Sequence, residues 1–174
     1  MNNLKDFVIQ FRGLDVGNHE FEFKVKDSFF EAFNYSELEA GDVNVILSME
    51  KQETMLVLNF SLKGSVKVLC DRCLDEFDFK LHKSEQLIVQ FGESYQELSD
   101  EIVVIPENAY EIDIAPYIYE YINLSLPIQK IHPNDSEGNS LCKEEITDLL
   151  NELSGEKQMD PRWEELKKLK NKTD

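Results

Sequence analysis

Long apolar runs are missing from this chain: the longest uninterrupted ones, residues 55–58 and 102–105, fall far short of the roughly 18 residues that cross a bilayer as a helix. A transmembrane helix is not expected. Glycine is scarce, with seven residues scattered at 13, 17, 41, 64, 92, 138 and 155, and no phosphate-cradling G-x-x-x-x-G-K-[ST] or G-x-G-x-x-G loop can be assembled from them. G-x-S-x-G and H-E-x-x-H are absent as well, which argues against nucleotide-driven chemistry and the commonest hydrolase scaffolds. Three cysteines is an odd count for a secreted disulfide framework. The start, MNNLKDFVIQ, is charged where a signal peptide would need an apolar stretch. The reducing cytoplasm, with no membrane partner, is the expected home.

Basic residues are the other shortage. Lys and Arg number 18 against 35 Asp and Glu, a net charge of -17, and the span 84–129 contains no Lys or Arg at all. A phosphate backbone is gripped by cations that displace its counterions, so direct contact with RNA is disfavoured for the chain as a whole. The excess acid also favours a soluble, monomeric protein.

What is present suits one hydrophobic core. With 174 residues, 41% of them hydrophobic, eleven Phe and six Tyr, the chain can offset its ordering entropy without covalent staples. Apolar residues alternate at Phe7, Ile9, Phe11; at Phe21, Phe23, Val25; at Val43, Val45, Leu47, Met49; at Leu56, Leu58, Phe60, Leu62; at 65–69; and at Phe77, Phe79, Leu81, then Leu87, Val89, Phe91. Period two marks half-buried strands. A short helix is expected near Phe29, Phe30 and Phe33, capped by Asp27 or Ser28. Residues 94–100 read as a loop. Asp113 should cap a helix whose apolar face is Ile114, Ile118, Tyr121 and Ile122, with Pro116 in its first turn. Another helix is expected over 143–153. The fold class predicted is α+β: an antiparallel sheet of about six strands, open to barrel-like closure, with several helices mostly in the C-terminal half. The domain would cover residues 1–155, and 156–174 would form a linker and an amphipathic helix.

Cys70 and Cys73 form C-x-x-C, and His132 and Cys142 lie far downstream. Thiolates and imidazole are the donors that zinc accepts. Two thiols at a turn between strands can share one tetrahedral ion with a distant pair that pins a loop to the turn. The cysteines could equally be small buried apolar residues, with His132 an ordinary loop histidine. A redox pair is the third reading, but a thioredoxin-like C-x-x-C opens a helix, whereas alternation resumes after Cys73 here. His82 and His19 read as surface residues.

The tail holds the one basic cluster along the sequence. Asp160 and Pro161 open a helix that places Trp163 and Leu166 on one face, beside Arg162, Lys167 and Lys170. The order of acids and lysines suits the helix dipole. The same residues could instead dock on a partner.

Taken together, Val68-Leu69-Cys70-Asp71-Arg72-Cys73-Leu74 followed by Phe77, then Ile112-Asp113-Ile114, Leu124-Ser125-Leu126-Pro127-Ile128, His132, Cys142, and Asp160-Pro161-Arg162-Trp163-Glu164-Glu165-Leu166 make the chain resemble the YceD family of large ribosomal RNA subunit accumulation proteins, found in bacteria and plastids. The resemblance implies a non-catalytic factor for accumulation or processing of large-subunit ribosomal RNA. It carries the cysteine pattern to Cys70 and Cys73, and to His132 and Cys142. Given the net charge, the expected partner is a ribosomal protein or an assembly factor of the large subunit rather than RNA itself. A zinc-stabilised interaction module without a ribosomal role, and a thiol oxidoreductase using Cys70 and Cys73, are the alternatives.

Overall fold

The computed structural model describes residues 4–33 and 36–153. Its frame is an antiparallel meander of β2 (Gly17–Val25), β3 (Gly41–Lys51), β4 (Met55–Leu69) and β5 (Glu76–Gly92), the strands that period-two alternation predicts. On β3, Val43, Val45, Leu47 and Met49 are buried while Asn44, Ile46 and Ser48 point outward. β4 and β5 pair without interruption from Met55 opposite Gln90 to Leu69 opposite Glu76. Gly64 lies opposite Val43, where an added Cβ would stand 2.1 Å from the Asp42 carbonyl oxygen and 2.7 Å from the Val43 Cα. Only glycine lets the two backbones come this close.

The inner face of the sheet is covered by a 3-10 turn (Leu4–Phe7), the short pair β1 (Val8–Ile9) with β8 (Ile112–Asp113), α1 (Asp27–Phe30) and α2 (Ala115–Leu124). Leu47, Leu58, Leu62 and Leu87 are fully buried beneath them, each stabilising the fold by roughly 1.5–3 kcal/mol. Phe60 meets Tyr121 edge-on at 5.3 Å, and Phe7 meets Phe29 at 4.8 Å. The predicted face of α2 is confirmed: Ile114, Ile118, Tyr121 and Ile122 are buried, and Asp113 accepts the Ala115 N–H at 2.9 Å. Asp27 does not cap α1; its carboxylate accepts the Gly41 N–H instead.

The predicted fold class needs correction. The six-stranded sheet has the order β2-β3-β4-β5-β7-β6, and β7 (Ile102–Pro106) runs parallel to β5, so the sheet is mixed rather than antiparallel. It is not closed into a barrel, since β2 and β6 (Gln96–Ser99) remain as its edges. Strand dominates the described residues, and helices are not concentrated in the C-terminal half: the 3-10 turn and α1 lie in the first half, α2 and α3 (Glu144–Leu153) in the second. The physical reason for the swapped order is burial. Every residue of β6 is exposed, whereas Val103 and Ile105 of β7 are buried, so the apolar strand takes the inside position beside β5 and the polar one the rim. The stretch 94–100, expected as a loop, contains β6.

The chain divides into two compact units. One comprises residues up to 70 together with 76–130, and holds the sheet and the hydrophobic core. The other comprises 71–75 and the chain from 131 onward, including α3, which exposes Leu149, Leu150 and Leu153. No helix among the described residues is long and apolar enough to cross a membrane. The predicted tail residues Asp160, Pro161, Arg162, Trp163, Leu166, Lys167 and Lys170 lie outside the described residues.

Candidate metal centre

β4 ends at Leu69 and β5 begins at Glu76, so Cys70 and Cys73 occupy the turn between the two longest strands, where no helix follows them. Leu74 closes that turn with φ of 61°, the one non-glycine residue with positive φ among those described. A branched side chain in this left-handed region costs about 1–2 kcal/mol. Such strain persists where the surroundings over-determine a conformation, and it clusters at functional sites.

The loop after residue 130 is drawn into a compact knot by Asp135. Its carboxylate accepts the backbone N–H groups of Glu137 at 2.9 Å and Asn139 at 2.8 Å, and the Asn139 side chain at 3.1 Å. Its own N–H donates to the Asn139 carbonyl, and Asn134 bridges Ser140. Gly138, at φ 90°, supplies the reversal. These bonds hold the Asp135 carboxyl below the usual carboxylate range, the backbone N–H of Asn139 contributing most. The consequence of the reversal is that His132 and Cys142, ten positions apart, face one another.

Side chains outside the ligand set also tie the knot to the turn. Lys143 donates to Asp75 at 2.7 Å, which keeps its ammonium protonated above the usual lysine range, and Arg72 donates to the Ser140 hydroxyl at 3.5 Å.

The ligand atoms of Cys70, Cys73, His132 and Cys142 all lie within 4.8 Å of one another. The His132 Nδ1 stands 3.4 Å from the Cys73 Sγ and 3.7 Å from the Cys142 Sγ. With zinc bonds of about 2.3 Å to sulfur and 2.0–2.1 Å to nitrogen, the edge of a tetrahedron between such donors is about 3.6 Å. The three cysteines are buried and His132 is half-buried. Donor type, spacing and burial therefore all fit zinc, which would serve here as a cross-link between turn and loop. All four predicted ligands converge. His82 is exposed on the outer face of the sheet, as expected of a surface residue, whereas His19 is half-buried on the same side of β2 as Phe21 and Phe23, its ring contacting the Asp15 carbonyl. Sequence reasoning missed Leu74, Asp75, Asp135 and Lys143. The cluster Asn134-Asp135-Ser136-Glu137-Gly138-Asn139 carried a turn signal that pointed to Asp135, but the partnership of Asp75 with Lys143, separated by 68 positions, left none.

Comparison with known families matches residues 58–170 to the family described as Large ribosomal RNA subunit accumulation protein YceD. No curated protein and no solved structure matches the chain.

Proposed function

The chain belongs to the YceD family of large ribosomal RNA subunit accumulation proteins, and from that premise we propose that it is a non-catalytic factor supporting accumulation or processing of large-subunit ribosomal RNA, acting through a ribosomal protein or another assembly factor. The family match carries this reading; it spans the C-x-x-C turn, α2 and the His132 loop. The Cys/His cluster supports it in a second way. A tetrahedral ion held by Cys70, Cys73, His132 and Cys142 has every position filled by protein, the arrangement of a structural site rather than a catalytic one that keeps a place for water.

The partner preference rests on charge. The Lys- and Arg-free span folds into the later part of β5, β6, β7, β8 and α2. Glu97, Glu111, Asp113 and Glu120 line one cleft of about 420 Å³ there, together with Tyr95 and Tyr117. The Tyr95 hydroxyl donates to Glu97 at 2.6 Å, and this bond, with partial burial, raises the phenol above its ordinary range. Burial does the same to Tyr117. Such a surface complements basic ribosomal proteins, whose association it would speed and orient.

The test is deletion of the gene followed by gradient fractionation. Large-subunit ribosomal RNA should fall relative to small-subunit RNA, and tagged protein should co-sediment with precursor large subunits and recover a ribosomal protein from them. Unchanged rRNA ratios in the deletion would sink the reading.

A further inference from the structure

The six-stranded sheet ends in two unlike edges, β2 and β6. β6 is blunted in ways common to strands at a sheet margin: it has only four residues, and its register against β7 shifts between Glu97 and Ser99. β2 is neither short nor bulged. It runs for nine residues without a proline, and pairs with β3 in unbroken register from Gly17 opposite Lys51 to Val25 opposite Val43. Its one lysine, Lys24, stands near an end. On the side away from β3, no strand and no backbone hydrogen bond among the described residues engages it.

Side chains along this edge are sorted by face. Inward, Phe21 and Phe23 lie opposite Leu47 and Val45, which are buried, yet are themselves only half-buried. What they lack is a neighbour on the open side, where a further strand would lie about 4.8 Å away. Outward, Glu20 and Glu22 of β2 and Asp42 and Glu50 of β3 share the margin with Lys24 alone; the other outward side chains of the two strands are uncharged. The margin is therefore acidic, and neither Glu20 nor Glu22 is in an ion pair among the described residues. Residues 76–87 of β5 also lack a second strand, because β7 pairs only with 88–92. There the carboxylates stand among Lys80, His82 and Lys83, so that stretch prefers no sign of charge.

We propose that β2 is a docking edge for an extended basic segment of a partner protein, which joins the sheet as a further strand, sets Lys or Arg opposite Glu20 and Glu22, and covers Phe21 and Phe23 with apolar side chains. Main-chain hydrogen bonds supply affinity in this mode of recognition, and alternate side chains supply selectivity. Charge chooses the partner, since directly opposed residues of opposite sign attract and those of like sign repel. The same rule disfavours a second copy of this chain. In antiparallel registers centred on Glu20, Phe21 or Glu22, those of longest overlap, carboxylate faces carboxylate. The proposal does not rest on the assembly role, and β2 lies at the other end of the strand order from β6, whose Glu97 lines the acidic cleft.

The test is fluorescence anisotropy of the full chain with a labelled nine-residue peptide, matched to β2 in length, that alternates Lys or Arg with Val. It should bind, and hydrogen exchange should show added protection in β2. The same peptide N-methylated on every residue keeps its charge but cannot join a ladder, and should bind about tenfold more weakly or worse. The variant Glu20→Lys/Glu22→Lys should lose about tenfold or more for the cationic peptide and gain for a counterpart carrying Glu in place of Lys and Arg. Circular dichroism checks that the variant folds; if it does not, Glu20→Gln/Glu22→Gln is read instead and should show a smaller loss. The proposal is overturned by no binding to the unaltered chain, by equal binding of the N-methylated peptide, or by equal binding to the glutamate variants. Protection that appears in β5 in place of β2, or loss caused by Glu97→Gln/Glu120→Gln in place of the β2 variant, would also overturn it. Failure here leaves the assembly role standing, and normal rRNA ratios in the deletion strain would retire that role while leaving this edge standing.

Discussion

Leu74 is the residue at which local preference and tertiary demand most plainly conflict. It is strained by its left-handed backbone, and 76% of its surface is exposed, so little apolar burial compensates. Leu74→Gly should therefore raise thermal stability, by up to about 1 kcal/mol in a denaturant titration. A loss of stability would mean that the side chain holds the C-x-x-C turn through a contact outweighing its strain. The residue scale is also where the metal site was most legible. Cys70, Cys73 and Cys142 were identifiable as candidate ligands by donor type, because zinc accepts few side chains, whereas His132 had to be preferred to His82 on the ground that His82 continues the solvated Asp78, Lys80 face of its strand. Leu74 was not identifiable, because nothing in the identity of a leucine announces positive φ.

At the scale of elements, periodicity found β2 to β5, since alternation is a local property of the chain. Strand order is not local. Nothing in residues 96–99 and 102–106 taken separately says that the second segment slips inside the first, and only the competition for buried positions beside β5 decides it. Register makes Gly64 indispensable. Gly64→Ala would push a methyl group into the β3 backbone, and overpacking of this kind costs typically 1–3 kcal/mol; a melting curve within error of the original would refute the close approach. In the His132 loop, Asp135 has a folded-state pKa depressed by the N–H groups it accepts. Its contribution is then fully present above the unfolded value near 3.9 and is lost as pH falls through the folded one. Hydrogen exchange should show the amides of Glu137 and Asn139 protected at neutral pH and released in acid, with Asp135→Ala releasing them at every pH. Equal protection in the variant would assign the loop's order to other contacts.

For the whole molecule, the buried apolar core among the described residues belongs to the sheet-bearing unit, and of the described residues in 71–75 and from 131 onward only Cys73 and Cys142 are buried. Purified protein should carry one zinc per chain. Its removal by a chelator, or the variant Cys142→Ser, should abolish amide protection across residues 131–143 while the strand amides remain protected. A chelator that changes neither metal content nor protection would leave the cluster as three buried thiols and an imidazole. The division of the chain also sets an order of events during synthesis. Cys70 and Cys73 leave the ribosome about 70 residues ahead of Cys142, an interval on the order of 4–14 s at roughly 5–20 residues per second. The β4–β5 hairpin can zip in that time, presenting two unshielded thiols at its tip. Until translation delivers the second pair of donors, the two thiols at the hairpin tip have neither His132 nor Cys142 beside them, so the four-donor cluster can close only after residue 142 has been made.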